Sequence, residues 1–248
     1  MPFTLSHVVA ILPFVRTPLP PAALAIGAMA PDIPYFLPVS VDRDFSHSLP
    51  GVPTIDLLVG LAAFAVWVLV LRSPVLDYSP VWLRERMQPR APRRSGVLVS
   101  SLLVVAALEL GILTHLLLDL FTHEGGWLET VAPFTSEQIA TFSIANLIHA
   151  AVSTVTGLIV VLWVRRWVAR TPRQQRESRL GATERRVTWL GLAAVLVAVG
   201  LVAWISGIVE GQHPLDTDLM GASFFVAVGA AGAVALVLAL LWRLRRVQ

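Results

Sequence analysis

The sequence contains no cysteine and no lysine, and it has few charged side chains of any kind. Of its 248 residues only 14% are charged and 56% are hydrophobic, whereas a soluble domain of this length has about a quarter charged residues. The missing cysteine excludes a disulfide framework, a thiolate metal site and a cysteine nucleophile. The low charge excludes an ordinary soluble domain and indicates a protein that spans a membrane several times.

Five segments are long and apolar enough to cross a bilayer, which takes about 20 residues of helix. They lie near Ile55–Leu71, Val97–Phe121, Ile144–Val164, Val187–Val209 and Leu219–Trp242. Two shorter apolar segments, Leu5–Val15 and Ala22–Ala30, precede them on either side of a proline-rich break. We therefore predict an all-α, polytopic membrane helical bundle with about five transmembrane helices and two short N-terminal interfacial or re-entrant helices.

The arginines predict the orientation of this bundle. Seventeen of the nineteen lie in the connections after the first and third spans and at the C-terminus, and the connections 123–142 and 210–218 contain none. Because basic loops stay in the cytoplasm, these arginine-rich segments are predicted to be cytoplasmic, in a bacterial inner membrane. The high pI of about 10.5 is then explained by orientation, and we expect membrane lipids rather than nucleic acid as partners.

With this topology, all six histidines can reach one layer near the outer membrane surface, together with six aspartates. The histidines are His7, His47, His115, His123, His149 and His213, and the aspartates are Asp32, Asp42, Asp44, Asp119, Asp216 and Asp218. Imidazoles and carboxylates without thiols suit zinc, manganese or iron, and zinc is the metal we expect. As one integral membrane domain, the chain would have a metal-site half at residues 1–135 and three further transmembrane helices at residues 136–248.

The stretch HLLLDLFTH places His115, Asp119 and His123 at four-residue intervals on one helix face. Ionisable residues within a membrane are costly and usually functional, so metal ligation is the leading interpretation. Two other interpretations of these three residues remain open: the histidines could serve only in packing, or the stripe could relay protons. The stripe rises about 12 Å over eight residues, so the three side chains rarely share one ion. Either two metals bind, or one of the three residues, most simply His123, contacts a metal ligand without binding the metal itself.

Three residues of the N-terminal region are candidate ligands of the same kind. Asp32 lies in GAMAPDIPYF, where Pro31 and Pro34 hold it on a rigid turn. His47 lies between two serines in DFSHSLPG, and His7 lies on the apolar segment TLSHVVAIL. Taken singly, each has an ordinary explanation as a turn, loop or packing residue. All three are predicted on the same side of the membrane, and all three carry imidazole or carboxylate groups. Together these properties favour one common metal site.

These motifs resemble a known group of membrane proteins. The order LSH, GAMAPDIPYF, SHSLPG and GILTHLLLDLFTHEGG, followed by VAPF, resembles the predicted membrane-bound metal-dependent hydrolases of the YdjM-like group. The opening MPFTLSH with APD and SHSLPG looks closer still to a related bacterial family of multi-pass membrane proteins of unknown function. Their early histidine, PD pair, THS or SHS triplet and HxxxD pair match His7, Asp32, His47, His115 and Asp119 over about the first 135 residues.

One departure from the YdjM-like pattern concerns the residues before the serine-flanked His47. That pattern carries His-Arg-Gly just upstream of its THS triplet, whereas this chain has Asp42, Arg43 and Asp44 at the corresponding place. An acid therefore stands where an imidazole is expected. The resemblance implies a metal-dependent hydrolase, and it leaves the role of Asp42 open.

The leading hypothesis is a metal-dependent hydrolase whose site opens at the outer membrane face. Its ligands would be His7, Asp32, His47, His115 and Asp119, with His123 as a further candidate, around one or two divalent ions. Such an ion lowers the pKa of a bound water to about 7. A free carboxylate, Asp42 or Glu124, would act as general base. A site at this depth suits a lipid, a lipid-linked phosphate or an amphiphilic ester.

Two other functions use the same residues. A transporter for divalent cations or protons would need polar residues through the remaining membrane depth, where the helix of His115 offers only Glu109. A non-catalytic membrane protein would use the metal only to fasten the N-terminal region to the bundle.

Overall fold

The computed structural model describes residues 4–39, 41–87, 96–122, 127–139, 142–174 and 180–245. Within these residues, five helices are long and apolar enough to cross a membrane: Val52–Tyr78, Val97–Phe121, Ile144–Arg170, Ala182–Val209 and Thr217–Leu244. Each of the five predicted spans falls within one of them. The prediction of an all-α, polytopic helical bundle is confirmed.

The surface of these helices is apolar. In the most hydrophobic 18-residue window of each helix, at most 22% of the residues are buried inside the protein. Large leucine and valine side chains therefore remain exposed along the helices. Such an extensive apolar surface is stable in hydrocarbon and unstable in water, so the chain is a multi-pass membrane protein.

The short helices lie mainly at the N-terminal end of the chain. In chain order the elements are a 3-10 helix (Thr4–Phe14), α1 (Pro21–Gly27), a second 3-10 helix (Ala30–Phe36), α2 (Arg43–Ser46), a π-helical turn (Val52–Asp56), α3 (Leu57–Val66), a second π-helical turn (Trp67–Leu71), α4 (Arg72–Tyr78), α5 (Val81–Arg84), α6 (Val97–Thr122), α7 (Trp127–Val131), a third 3-10 helix (Pro133–Ser136), β1 (Gln138–Ile139), β2 (Phe142–Ser143), α8 (Ile144–Arg170), α9 (Ala182–Val209) and α10 (Thr217–Leu244). The two strands pair antiparallel, with Gln138 opposite Ser143.

The two predicted N-terminal helices are present, and both are too short to span a bilayer. The first is a 3-10 helix that contains Pro13. The second, α1, has seven residues and rises only about 10 Å. It ends at Gly27, three residues before the predicted end, and a proline-containing 3-10 helix begins at Ala30. Pro31 and Pro34 explain this change, because proline removes a backbone donor and disrupts a continuing α-helix.

The chain forms two compact units that interleave along the sequence. Unit 1 comprises Met1–Phe64 and Arg94–Trp163, and unit 2 comprises Ala65–Arg93 and Val164–Gln248. Unit 1 contains every N-terminal segment with a candidate ligand, together with α6. It is therefore the unit in which a shared site can form.

Unit 1 is built around the packing of α1 on α6. Leu24, Ala28 and Leu108 are fully buried in its core. The two backbones approach closely because Gly27 and Gly111 lack side chains. A β-carbon on Gly111 would lie 2.7 Å from the Ala28 nitrogen and even closer to the Leu24 carbonyl oxygen. Only glycine allows this distance, so these two positions bring α1 beside the histidine-bearing helix.

Unit 2 is held by the packing of α9 against α10 and by hydrogen bonds to the span that ends at Tyr78. The Trp242 indole Nε1 donates to Asp77 Oδ2 at 2.9 Å, and Arg243 Nε donates to the Val70 carbonyl at 3.1 Å. Trp189 Nε1 donates to the Tyr78 carbonyl at 2.9 Å. These bonds satisfy donors that would be costly to leave unpaired in an apolar setting.

Replacing Gly111 with valine is expected to separate α1 from α6. The new side chain would collide with backbone atoms of α1, which cannot move aside as a flexible side chain can. Overpacking of this kind costs about 1–3 kcal/mol, and a lower melting temperature in detergent would report it. Gly157→Val is the matched control on α8, because no atom lies within 4 Å of that position. Equal melting temperatures for the two variants would contradict this account of the α1–α6 contact.

Candidate metal centre

Five side chains from four separate segments of unit 1 converge on one point. His7 comes from the first 3-10 helix, Asp32 from the second and His47 from the residue that ends α2, while His115 and Asp119 lie one turn apart on α6. His7, Asp32, His115 and Asp119 are buried. The structure thus brings together five of the six predicted ligands.

The ring nitrogens of the three histidines face the two carboxylates at nearly equal distances. His115 Nε2 lies 3.3 Å from Asp119 Oδ2 and 3.8 Å from Asp32 Oδ1. His47 Nε2 lies 3.5 Å from Asp119 Oδ2 and 3.4 Å from Asp32 Oδ1. His7 Nε2 lies 3.5 Å from Asp119 Oδ1. All five separations fall between 3.3 and 3.8 Å.

These separations match a cation-centred site better than a hydrogen-bonded ion cluster. Charge-assisted hydrogen bonds between imidazolium and carboxylate measure about 2.7–2.9 Å, and all five contacts are longer. Zinc holds histidine nitrogen and carboxylate oxygen at about 2.0–2.2 Å, so two ligands of a tetrahedral site lie about 3.3–3.6 Å apart. Four of the five separations fall within this range, and the His115–Asp32 separation of 3.8 Å is slightly longer.

A hydrogen bond to the backbone sets the tautomer of His115, whereas His47 Nδ1 lies 3.0 Å from the Ser46 hydroxyl, which can donate or accept, and 3.2 Å from the Arg43 carbonyl oxygen. His115 Nδ1 lies 2.9 Å from the Ala28 carbonyl oxygen. A carbonyl can only accept, so this Nδ1 carries the proton that it donates. In the neutral ring, His115 Nε2 then presents its lone pair to the carboxylates. Metal-ligating histidines commonly donate their other N–H in this way.

The stacking of His7 on His115 limits the charge that the two rings can carry. The two ring centroids are 4.1 Å apart and the planes are inclined by 19°. His7 is 1% exposed and His115 is fully buried. Two protonated imidazoles stacked at this distance without solvent would repel each other strongly. The two stacked rings therefore carry at most one positive charge between them.

Local structure explains why each segment presents its side chain to the centre. On α6, the four-residue spacing of His115 and Asp119 puts both on one face. Asp32 is held within a 3-10 helix that contains Pro31 and Pro34. The backbone N–H of His47 donates to the Arg43 carbonyl at 2.9 Å, which closes the last turn of α2.

Two overlapping sets of three residues each offer ligand atoms that lie within 4.8 Å of one another. One set is His7, Asp32 and His115, and the other is His47, His115 and Asp119. His115 belongs to both sets. The arrangement therefore fits one ion bound by up to five residues, or two neighbouring ions of which only one can take the single Nε2 lone pair of His115. Imidazole and carboxylate ligands without thiolates suit zinc and also manganese or iron.

The remaining predicted site residues lie elsewhere or outside the described residues. Asp42 is exposed, and its Oδ1 accepts a hydrogen bond of 3.0 Å from the Asp44 N–H as the N-cap of α2. Its catalytic role stays a prediction. His123 and Glu124 fall in the segment 123–126, outside the described residues, so their predicted roles as ligand and base also stay predictions.

Asp56 is a buried carboxylate beside this cluster that the sequence reasoning missed. It ends the π-helical turn at the start of the first span and is 1% exposed. Its carboxylate interacts electrostatically with His47 and His115, and within the described residues its Oδ2 has no hydrogen-bond partner. A β-carbon on Gly51 would lie 3.2 Å from this oxygen. An acid in the first turn of an apolar span was the available signal.

Tyr35 borders the cluster on the His47 side, with its ring centroid 6.2 Å from that of His47. Burial raises the pKa of the Tyr35 hydroxyl, and the nearby Arg43 guanidinium opposes this rise. The hydroxyl therefore stays protonated at neutral pH. It can donate a hydrogen bond at the edge of the site.

The fold and this cluster define a class: an α-helical multi-pass membrane protein with a buried His/Asp centre formed by its N-terminal region and one transmembrane helix. The chain belongs to the family described as a domain of unknown function, DUF4184, which matches residues 1–241. The match includes the motif-bearing region, the fourth span and all but the last three residues of the fifth. No curated protein and no solved structure matches the chain.

Asp119→Asn is expected to weaken zinc binding by purified protein that has been chelated and then re-metallated. Losing even an outer-sphere partner of a metal ligand costs about 10–100-fold in affinity, and Asp119 faces all three imidazoles. Asp42→Asn is the matched control, because asparagine can keep the N-cap at an exposed site. Isothermal titration with zinc measures both. Wild-type affinity in Asp119→Asn would contradict the assignment of this residue as a ligand.

Proposed function

We propose that this protein is a metal-dependent hydrolase, with zinc as its expected metal. The observation that carries the proposal is the gathering of three imidazole nitrogens and two carboxylates at 3.3–3.8 Å. A divalent ion held there would polarise a phosphoryl or acyl oxygen and acidify a water molecule. His7, Asp32, His47, His115 and Asp119 would hold it.

Asp56 is the best-placed general base among the described carboxylates. The predicted base Asp42 is exposed and occupied as a helix cap, whereas Asp56 is buried beside His47 and His115. Asp56 also belongs to neither set of candidate ligands. A carboxylate that is close to the centre without binding the metal is free to accept a proton. A buried carboxylate oxygen also needs a donor, and a water molecule would supply one.

In the proposed reaction, water adds across a phosphate or carboxylic ester bond. Asp56 accepts one proton from the attacking water, and the water oxygen forms a bond to phosphorus or to the acyl carbon. The bond to the leaving alcohol breaks, and that oxygen takes the proton back from Asp56. The products are an acid and an alcohol, so atoms and charge balance without an oxidant or reductant.

The position of the centre along α6 supports a membrane-derived substrate. Asp119 lies two residues before the end of the apolar span at Phe121, so its level corresponds to the boundary of the hydrocarbon. A lipid, a lipid-linked phosphate or an amphiphilic ester already lies at this depth. The arginine-rich connections favour a cytoplasmic location for the opposite ends of the spans, so an outward-facing centre is part of the proposal.

The motif resemblance supports the same chemistry. The early histidine, the PD pair, the THS triplet and the HxxxD pair of the YdjM-like predicted hydrolases correspond to the five converging residues. These motifs are spread over more than a hundred positions of the sequence, yet their histidines and aspartates lie in one cluster. A common site would explain why the motifs occur together.

Asp56→Asn is expected to retain zinc and to lose hydrolysis. General-base catalysis contributes about 10²–10⁴-fold, so kcat should fall within this range. Suitable probes are bis(4-nitrophenyl) phosphate, 4-nitrophenyl butyrate and short-chain phospholipids, with Asp42→Asn as the control. Wild-type turnover in Asp56→Asn would remove this residue as the base. Zinc-loaded wild-type protein without hydrolysis of any probe would count against the hydrolase itself.

The proposed orientation can be tested because the chain contains no native cysteine. Asp44→Cys and Gln174→Cys place single thiols at exposed positions on the metal-centre side and on an arginine-rich connection, respectively. In intact cells, an impermeant thiol reagent is expected to label position 44 and to label position 174 only after lysis. The opposite labelling pattern would place the centre on the cytoplasmic face.

A further inference from the structure

Arg43 is an exposed cation in the short segment that carries His47, and it has no role in the proposed reaction. It opens α2, and its neighbours Asp42 and Asp44 are exposed as well. Within the described residues no carboxylate pairs with its guanidinium, and Asp42 Oδ1 accepts the Asp44 N–H instead. The side chain is therefore accessible from outside the protein, with a charge that no carboxylate neutralises.

One helical turn separates Arg43 from the proposed ligand His47. The His47 N–H donates to the Arg43 carbonyl at 2.9 Å, which closes this turn. Residues four apart on a helix lie on the same side, and one turn rises about 5.4 Å. Arg43 is therefore on the side of α2 that presents the His47 imidazole to the carboxylates, and its long side chain can span the distance of one turn.

Tyr35 connects this arginine to the centre. The Arg43 guanidinium interacts with the Tyr35 hydroxyl, and the same hydroxyl interacts with the Asp32 carboxylate and with Ser46. The Tyr35 ring centroid lies 6.2 Å from that of His47. The cation and the hydroxyl thus border the two proposed ligands Asp32 and His47.

The centre is most accessible on this same side. The side chains of His47 and Asp32 are 13% and 12% exposed, whereas those of His7 and His115 are 1% and 0% exposed. A substrate that enters the centre from outside therefore passes His47 and Asp32. It meets the Arg43 guanidinium and the Tyr35 hydroxyl at this entrance.

Large apolar side chains remain exposed on both sides of Arg43 in the sequence. Leu37 and Val39 precede it and Phe45 and Leu49 follow it, and all four are between 44% and 73% exposed. Apolar side chains next to an exposed cation are typical of a segment at the membrane interface, where the apolar groups contact acyl chains and the cation lies at the level of the headgroups. A substrate with an apolar chain and an anionic head matches this combination.

Phosphate is the anionic head that the arrangement fits. A planar guanidinium donates two parallel hydrogen bonds to two phosphate oxygens, and a tyrosine hydroxyl can donate a further one. A phosphate ester therefore has oxygens for the guanidinium as well as for a metal ion. A carboxylic ester is neutral and has a single carbonyl oxygen, so it offers no charge that would balance the guanidinium.

We propose that Arg43, together with the Tyr35 hydroxyl, binds the phosphate of the substrate, and that this substrate is a phosphate ester with an apolar chain. The assignment rests on the proposed function, because it names the substrate class of the same centre. Arg43 holds non-bridging phosphate oxygens and transfers no proton. The bond that breaks is the phosphorus–oxygen bond to the leaving alcohol, whose oxygen takes the proton from Asp56.

The test compares the wild type, Arg43→Gln and Arg16→Gln. Arg16→Gln is the matched control, because Arg16 is also an exposed arginine of unit 1. The zinc-loaded proteins are titrated calorimetrically with inorganic phosphate, and initial rates are measured with bis(4-nitrophenyl) phosphate and with 4-nitrophenyl butyrate. Arg43→Gln should weaken phosphate binding, and lower kcat/KM for the phosphate ester, at least about tenfold. Its zinc affinity and its rate with the butyrate should equal those of the wild type, and Arg16→Gln should change none of these quantities.

Three outcomes would overturn the assignment of Arg43. The first is wild-type phosphate affinity in Arg43→Gln, which would mean that the ion alone binds the phosphate. The second is an equal loss of kcat/KM with both esters, which would mean that Arg43 supports the centre as a whole. The third is a wild type that hydrolyses the butyrate and does not bind phosphate. Failure of the proposed function is distinguishable from all three, because the wild type would then hydrolyse neither ester while its phosphate binding still depended on Arg43.

Arg43→Lys is a further variant that separates the charge from the geometry and covers the case in which Arg43→Gln does not fold. Lysine keeps the positive charge and loses the planar fork. The phosphate affinity of Arg43→Lys should therefore be lower than that of the wild type and higher than that of Arg43→Gln. An affinity equal to that of the wild type would contradict the two-oxygen contact with phosphate.

Discussion

The close contact between α1 and α6 is the constraint on which the candidate centre depends. Gly27 and Gly111 let the two backbones touch, and the end of α1 then presents the Ala28 carbonyl to His115. This one hydrogen bond orients the His115 ring and selects its tautomer. His7 stacks on that ring, and Asp119 follows one turn later on the same helix face. Without the glycine contact, an imidazole within an apolar helix would have neither a partner nor a defined direction.

The chemistry of the centre follows from its dryness. In water, three histidines and two aspartates would titrate independently and exert little force on one another. Buried together, the imidazoles and carboxylates interact strongly, and their nitrogen and oxygen atoms lie 3.3–3.8 Å apart. The cost of assembling such a cluster within a membrane protein is large and is difficult to explain by packing alone, because apolar side chains would fill the same space at lower cost.

The sequence was sufficient to predict the spans and much of the cluster, because both depend on local patterns. Hydropathy locates the five long helices, and the four-residue spacing places His115 and Asp119 on one face. The prediction that His7, Asp32 and His47 meet that face came from their imidazole and carboxylate groups and from their predicted location on the same side of the membrane. Asp56 was missed because an acid next to an apolar segment resembles an ordinary boundary residue. Only the tertiary structure distinguishes a buried charge from a solvated one, and the same holds for the exposed cap residue Asp42.

X-ray absorption spectroscopy of the zinc-loaded protein tests the central claim most directly, because it reports the ligands without requiring a substrate. The account predicts one or two tightly bound ions per chain, with only nitrogen and oxygen ligands at about 2.0–2.2 Å and clear outer-shell scattering from several imidazole rings. A protein that retains no zinc after gel filtration would contradict it. So would zinc surrounded by water-like oxygen alone, since the converging histidines would then have no part in binding the ion.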